Sequence, residues 1–261
     1  VNDAPAIKRA DIGVAMGITG TDVAKETADM VLPDDNYASI VSAVEQGRII
    51  YSNIRKFVYY LLSCNVGEIL IVFVATLLQW PVPLSAIQLL VLNLLTDGAP
   101  ALALSLEKGD PDIMDRPPRP VNEPILNREM LLGIVVQALA IGAATLTAFR
   151  LGMHWFPDEP VMARAMAFAT LTLSELFRAY TARSEYYSVF RLGLFSNKYM
   201  QYAVLVSIAI LVLVFYVPAL NVVFDTHPLT LGHWLDILPL ALVPSVAAEL
   251  TKLFLLRRLR R

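Results

Sequence analysis

The chain has 261 residues, 56% of them hydrophobic, with a mean hydropathy of +0.57 and a formal net charge of −2. That is more apolar than an ordinary soluble domain, and the near-neutral charge offers nothing that would draw a nucleic acid. One cysteine, Cys64, excludes an internal disulfide and a multi-cysteine metal site, and is read here as a small packing residue.

Residues 1–56 are charged, mixed and soluble-looking. DIGVAM at 11–16 alternates towards a short buried strand closed by Gly17. Thr21 opens a helix-forming stretch to Ala28, and Met30 to Leu32 reads as a second short strand. Strand, helix, strand is the grammar of an α/β sheet. So short a piece cannot bury a sheet core alone, so 1–35 is expected to be the edge of a larger domain. The chain opens at Val1 inside a loop-like string, and a missing amino-terminal half is expected.

Asp34, Asp35 and Asn36 make a helix-start signal. From there to Trp80 only isolated Gly47 and Gly67 interrupt, so one long helix is expected, with 36–58 as a stalk. Six windows, 59–80, 85–106, 130–151, 161–182, 199–220 and 235–256, could each cross a hydrocarbon core of roughly 30 Å. The 107–129 connector is rich in proline and charge. It reads as an ordered connector or docking loop. The fold expected is mainly α, a six-helix transmembrane bundle over 59–256 with a basic tail at 257–261.

Basic residues are distributed unevenly. All but Arg150 and Arg164 fall in residues 1–56, in the 107–129 loop, in the region from the end of the fourth window to the start of the fifth, or at the last helix end and tail. The loops 81–84, 152–160 and 221–234 hold none. By the positive-inside rule the start, the 107–129 loop and the tail are cytoplasmic.

Glu68, Asp97 and Glu175 each lie inside an apolar window. An ionisable group in hydrocarbon is expensive and marks an ion or proton pathway by default. Asn65 precedes Glu68 by three residues and shares its helix face; Asn93 and Thr96 precede Asp97 by four and one. Pro100 cannot bond the Thr96 carbonyl, so the helix should kink or unwind there. Asn65, Glu68, Asn93, Thr96, Asp97 and Glu175 are all oxygen donors, three of them anionic. Such a set suits Ca²⁺, which takes six to eight oxygens, better than Zn²⁺ or Cu⁺. It separates Ca²⁺ poorly from Na⁺, K⁺ or H⁺. Lys252 follows Glu249 by three residues, a structural pair; Ala140, Ala144 and Ala148 form a small-residue packing ridge.

VNDAP at 1–5 resembles the end of the TGDGVNDAP hinge motif of P-type ATPases. NVGE at 65–68, NLLTDG at 93–98 and DIMDRPPR at 112–119 resemble calcium pumps of the sarcoplasmic/endoplasmic reticulum type and their bacterial relatives. The resemblance covers essentially the whole chain. It implies that 1–35 is a remnant of a haloacid-dehalogenase-like phosphorylation domain, with Asn2 and Asp3 near the Mg²⁺ of the phosphorylation site. It implies that Asn65 and Glu68, then Asn93, Thr96 and Asp97, are cation ligands on the family's fifth and sixth helices. Glu175, in TLSEL, falls where such pumps place an eighth-helix acid, the pattern of pumps with two calcium sites. The parent would use ATP and Mg²⁺ and carry Ca²⁺ by alternating access, in a bacterial plasma membrane. Its partners would be the lipid bilayer, the missing amino-terminal half and the transported cation. The chain holds no DKTGT, so by itself it is expected to form no aspartyl phosphate.

A pump for Na⁺, K⁺, Mn²⁺ or H⁺ is an alternative within the same class. A short, non-enzymatic cation-binding or regulatory membrane protein is an alternative from another class. A soluble phosphatase-like domain is excluded by the apolar windows.

Overall fold

The computed structural model describes residues 2–120 and 122–259. Val1 of the hinge-like string lies outside them, and so does the end of the basic tail expected at 257–261. The chain divides into two compact units, Val1–Tyr51 with Pro111–Pro117, and Ser52–Asp110 with Pro118–Arg261.

The first unit carries α1 (Ala4–Arg9), β1 (Val14–Met16), α2 (Asp22–Thr27) and β2 (Met30–Leu32). The strands pair in parallel, Val14 against Met30 and Met16 against Leu32. The strand expected over 11–16 is shortened to three residues, because its partner is only three residues long. Gly17 closes it by donating its amide to the Leu32 carbonyl at 2.7 Å. The Thr21 hydroxyl accepts the Ala24 amide at 3.3 Å and caps α2, as its position predicted.

The helix-start signal at 34–36 falls in a tight turn immediately before the helix. Asp35 has φ 51°, and its carboxylate accepts the Ile18 and Thr19 amides at 2.8 Å and the Thr19 hydroxyl at 2.7 Å. These donors, the Ile18 amide first, hold the Asp35 carboxyl below the ordinary carboxylate value. The Asn36 side chain accepts the Ala38 amide at 2.9 Å, and α3 (Ala38–Leu77) begins there. Arg48 on α3 donates to the Ile113 and Arg116 carbonyls at 3.0 and 2.8 Å, so the 111–117 segment is ordered within this unit.

α3 runs unbroken for 40 residues, as the absence of strong breakers predicted. At 1.5 Å per residue it is about 60 Å long, twice a hydrocarbon core. Residues from Ser52 onward belong to the second unit. There follow α4 (Ala86–Val91), a π-helical turn (Leu92–Thr96), α5 (Gly98–Ser105), α6 (Arg128–Trp155), α7 (Pro160–Thr181), α8 (Val189–Leu192), α9 (Lys198–Tyr216), α10 (Pro218–Phe224) and α11 (Leu231–Leu259).

Among the described residues, five helical segments are long and apolar enough to cross a membrane: Ala38–Leu77, Ala86–Ser105, Arg128–Trp155, Lys198–Tyr216 and Leu231–Phe254. These correspond to five of the six expected windows. α7, the expected fourth span, has 22 residues but is not among them. Arg164, Glu175, Arg178 and a run of threonine and serine dilute its apolarity. It is instead the most enclosed helix, with Ala163, Ala165, Met166, Ala167, Phe168 and Ala169 fully buried. Gly152 of α6 lets it pack closely: a Cβ there would stand 2.6 Å from Ala163 Cα. Ala144 and Ala148 of the predicted ridge are buried on α6. Glu249 and Lys252 form the expected pair, 2.8 Å apart.

The start of the 107–129 connector is ordered and packed. Glu107 and Asp110 are buried. Arg183 grips Glu107 with two bonds, Nε to Oε2 at 2.7 Å and Nη2 to Oε1 at 3.0 Å, and Asn197 donates to the same carboxylate at 2.9 Å. Asn53 donates to the Glu107 carbonyl at 2.6 Å. This ties α3, the end of α5, the segment after α7 and the start of α9 together. Arg183→Met leaves Glu107 buried and unpaired, which is expected to cost about 3–5 kcal/mol. The denaturation midpoint of the purified protein reads that loss. An unchanged midpoint would show that the pair contributes nothing.

Candidate functional site

The buried face of α3 within the second unit is polar. Asn53, Lys56, Tyr60, Ser63, Cys64 and Glu68 line it, followed by Ile71 and Ala75. The spacing of three and four residues stacks them on one side of the helix. Opposite, the π-helical turn does what Pro100 was expected to do. The Asp97 amide bonds the Leu92 carbonyl, five residues back, at 2.9 Å. A π turn widens the helix and re-aims its side chains. Pro100 leaves the Thr96 carbonyl without a backbone donor, and the Ser207 hydroxyl of α9 donates to it at 3.2 Å. Sequence reasoning offered that carbonyl to a cation; the structure gives it a protein donor as well.

Of the sequence-predicted ligands, Asp97 and Glu175 are fully buried, and Glu68 and Thr96 nearly so. The Asn93 amide donates to Glu68 Oε2 at 2.7 Å, which joins the second helix to α3. The Tyr60 hydroxyl donates to Asp97 Oδ1 at 3.0 Å and lies 3.4 Å from the Glu175 carbonyl. Asp97 and Glu175 each bring a carboxylate oxygen within 4.8 Å of the other and of Cys64 Sγ. Glu68 Oε1, Asp97 Oδ2 and both Glu175 carboxylate oxygens are buried without a hydrogen-bond partner. Desolvated anionic oxygens with no donor are a debt that a bound cation settles.

Asn65 and Thr96 are less engaged. Asn65 is half-buried and its amide donates to the Leu61 carbonyl of its own helix at 2.8 Å, which leaves its oxygen as an acceptor. The Thr96 hydroxyl donates to Leu92 at 2.9 Å, one turn back. Asn2 and Asp3 belong to the other unit, where both are exposed; Asp3 stands at the start of α1 and caps no amide with its side chain.

Sequence reasoning missed three residues. Tyr60 and Cys64 sit eight and four residues before Glu68, on its helix face, and that periodicity was the available signal. Arg178, one turn after Glu175, is 1% exposed. Its guanidinium donates to the Ser63 and Thr181 hydroxyls at 3.3 and 3.4 Å and lies 4.7 Å over the Tyr59 ring. No carboxylate pairs with it among the described residues.

This combination of apolar helices, a broken second span and a cluster of buried carboxylates is that of a multi-pass membrane domain with ionisable groups held in its interior. The family model describing the C-terminus of cation transporting ATPases matches residues 81–254, and the chain belongs to that family. A calcium-transporting ATPase of Bacillus subtilis is 48% identical over 245 residues, covering 94% of this chain and 27% of that protein. Calcium-transporting ATPase 1 of Bacillus cereus is 44% identical, covering 97% of this chain and 30% of that protein. The human calcium-transporting ATPase type 2C member 1 is 42% identical over 254 residues, covering 97% and 27%. The chain thus spans less than a third of the length of these relatives. The family resemblance drawn from VNDAP, NVGE, NLLTDG and DIMDRPPR is borne out.

Proposed function

We propose that this chain is the C-terminal membrane part of an ATP-driven pump that carries Ca²⁺ by alternating access, coupled to an aspartyl phosphate formed elsewhere in the parent. The observation that carries this reading is the set of unpartnered, buried oxygens on Glu68, Asp97 and Glu175. Asn65, Asn93 and Thr96 add neutral oxygens, so the set suits a hard cation that sheds most of its water. The relatives named as calcium-transporting ATPases support Ca²⁺ over Na⁺, K⁺, Mn²⁺ or H⁺.

In this reading α7 crosses the membrane as a sixth, protein-enclosed span, since its Glu175 and Arg178 are shielded from lipid by neighbouring helices. Residues 1–35 are the last edge of the haloacid-dehalogenase-like phosphorylation domain. Asn2 and Asp3 stand near Mg²⁺ there. An exposed carboxylate that caps no helix suits that ion, which is bound through one or two carboxylates plus phosphate oxygens. ATP and Mg²⁺ supply the phosphoryl transfer, and the membrane is a bacterial plasma membrane. The decisive experiment is phosphorylation of the intact pump by ATP as each cation is added in turn. Ca²⁺ should trigger it at the lowest concentration; a trigger by Na⁺ in the absence of Ca²⁺ would sink the calcium reading.

With six spans, the start and the tail are both cytoplasmic. The one cysteine of this segment, Cys64, is buried, and Cys64→Ser serves as the background for labelling. In the segment's exposed loops, His227→Cys and Asp158→Cys should label from outside intact cells, and Asp115→Cys only after permeabilisation. Labelling of Asp115→Cys in intact cells would reverse the orientation.

A further inference from the structure

Cys64 has no evident use in a calcium site. Ca²⁺ is a hard ion that takes oxygen ligands and gains little from sulfur. Yet the Cys64 sulfur is fully buried, and Sγ, an Asp97 oxygen and a Glu175 oxygen lie within 4.8 Å of one another. In a tetrahedral site, metal–ligand lengths of about 2.3 Å to sulfur and 2.0–2.2 Å to oxygen put two ligands of one ion about 3.4–3.6 Å apart. Closing the cluster from separations of up to 4.8 Å therefore requires side-chain shifts of about an ångström. Asp97 Oδ2 and both Glu175 oxygens are buried and have no other partner. The cluster draws its ligands from three elements: α3, the end of the π-helical turn and α7.

We propose that Cys64, Asp97 and Glu175 form a site for a thiophilic divalent cation of the Zn²⁺ type, overlapping the calcium site at its two carboxylates. One thiolate and two carboxylates are a mixed set that a borderline-soft ion accepts and a hard ion does not prefer. On binding, the metal–sulfur bond forms as the Cys64 S–H bond breaks, and the proton leaves to water. Arg178, which donates to Ser63 beside Cys64, supplies a buried positive charge against the surplus negative one. The consequence is that such ions compete with Ca²⁺ for the same pocket. This extends the transport reading and rests on it for the meaning of that competition, but the binding itself does not depend on transport.

The test titrates Cd²⁺, a thiophilic probe with an ultraviolet thiolate charge-transfer band, into the purified full-length protein that carries this segment. The native protein should show the band in difference against Cys64→Ser, and Ca²⁺ should suppress it. Cys64→Ser should weaken Cd²⁺ binding about tenfold or more, while Ca²⁺ binding changes by no more than about twofold. Cys64→Ala repeats the comparison should the serine variant fold poorly. Cd²⁺ binding of equal strength in native and variant proteins would overturn the proposal. So would no difference band, or an equal loss of both ions, which is the signature of a packing residue. A band that Ca²⁺ does not suppress, in protein that still binds Ca²⁺, would overturn the overlap; in protein that binds no Ca²⁺ it would count against the calcium reading instead.

Discussion

Asp97→Asn is expected to raise the Ca²⁺ concentration that triggers phosphorylation of the intact pump by about two to three orders of magnitude. The substitution removes one negative charge from a fully buried position and keeps the shape of the side chain. Breaking a buried charge pair costs about 3–5 kcal/mol, and each 1.4 kcal/mol is a factor of ten in affinity. Asn can still accept from the Tyr60 hydroxyl through its carbonyl oxygen, so the packing of α3 against the second helix should persist. Phosphorylation by inorganic phosphate, which needs no bound calcium, should survive and shows that the protein is folded. Retention of the native calcium dependence would remove Asp97 from the site.

Glu68→Gln is the second large effect and should be smaller than the first. Glu68 is 6% exposed, against none for Asp97, and one of its oxygens already accepts from Asn93. Its charge is therefore better solvated, and less of the cation's lost hydration is replaced by this one group. A loss of about one to two orders of magnitude in calcium affinity is expected, about half the free-energy cost assigned to Asp97. The apparent affinity for Ca²⁺ at fixed ATP measures it. An effect larger than that of Asp97→Asn would show that the binding centre lies on the Glu68–Asn93 side, away from Tyr60, Asp97 and Glu175.

Much of this protein was legible in the sequence because the signals are local. Apolar windows reveal spans, since a backbone in lipid must bond to itself. Glu68, Asp97 and Glu175 were conspicuous because charge in such windows is costly. Pro100 announced the break at Leu92–Thr96 through its missing donor. The sequence also marked Thr21 as a cap and Glu249 with Lys252 as a pair, both within one helical turn. It placed the start of α3 to within two residues, but gave no sign that Asp35 spends its carboxylate on Ile18 and Thr19, residues more than a dozen positions away.

Tertiary structure alone decided which of those groups meet. Asn65 and Glu68 are three residues apart, yet only Glu68 reaches across to Asn93, while the Asn65 amide turns back to its own helix. Cys64 read as packing until folding brought Asp97 and Glu175 beside it. Glu107 and Arg183 lie far apart in the sequence, and folding buries and pairs them. The length and apolarity of each helix are properties of consecutive residues, so the sequence by itself determined them. The distances between carboxylates on α3, the broken second span and α7 depend on how helices pack and where a π turn rotates a side chain, and no local pattern encodes those.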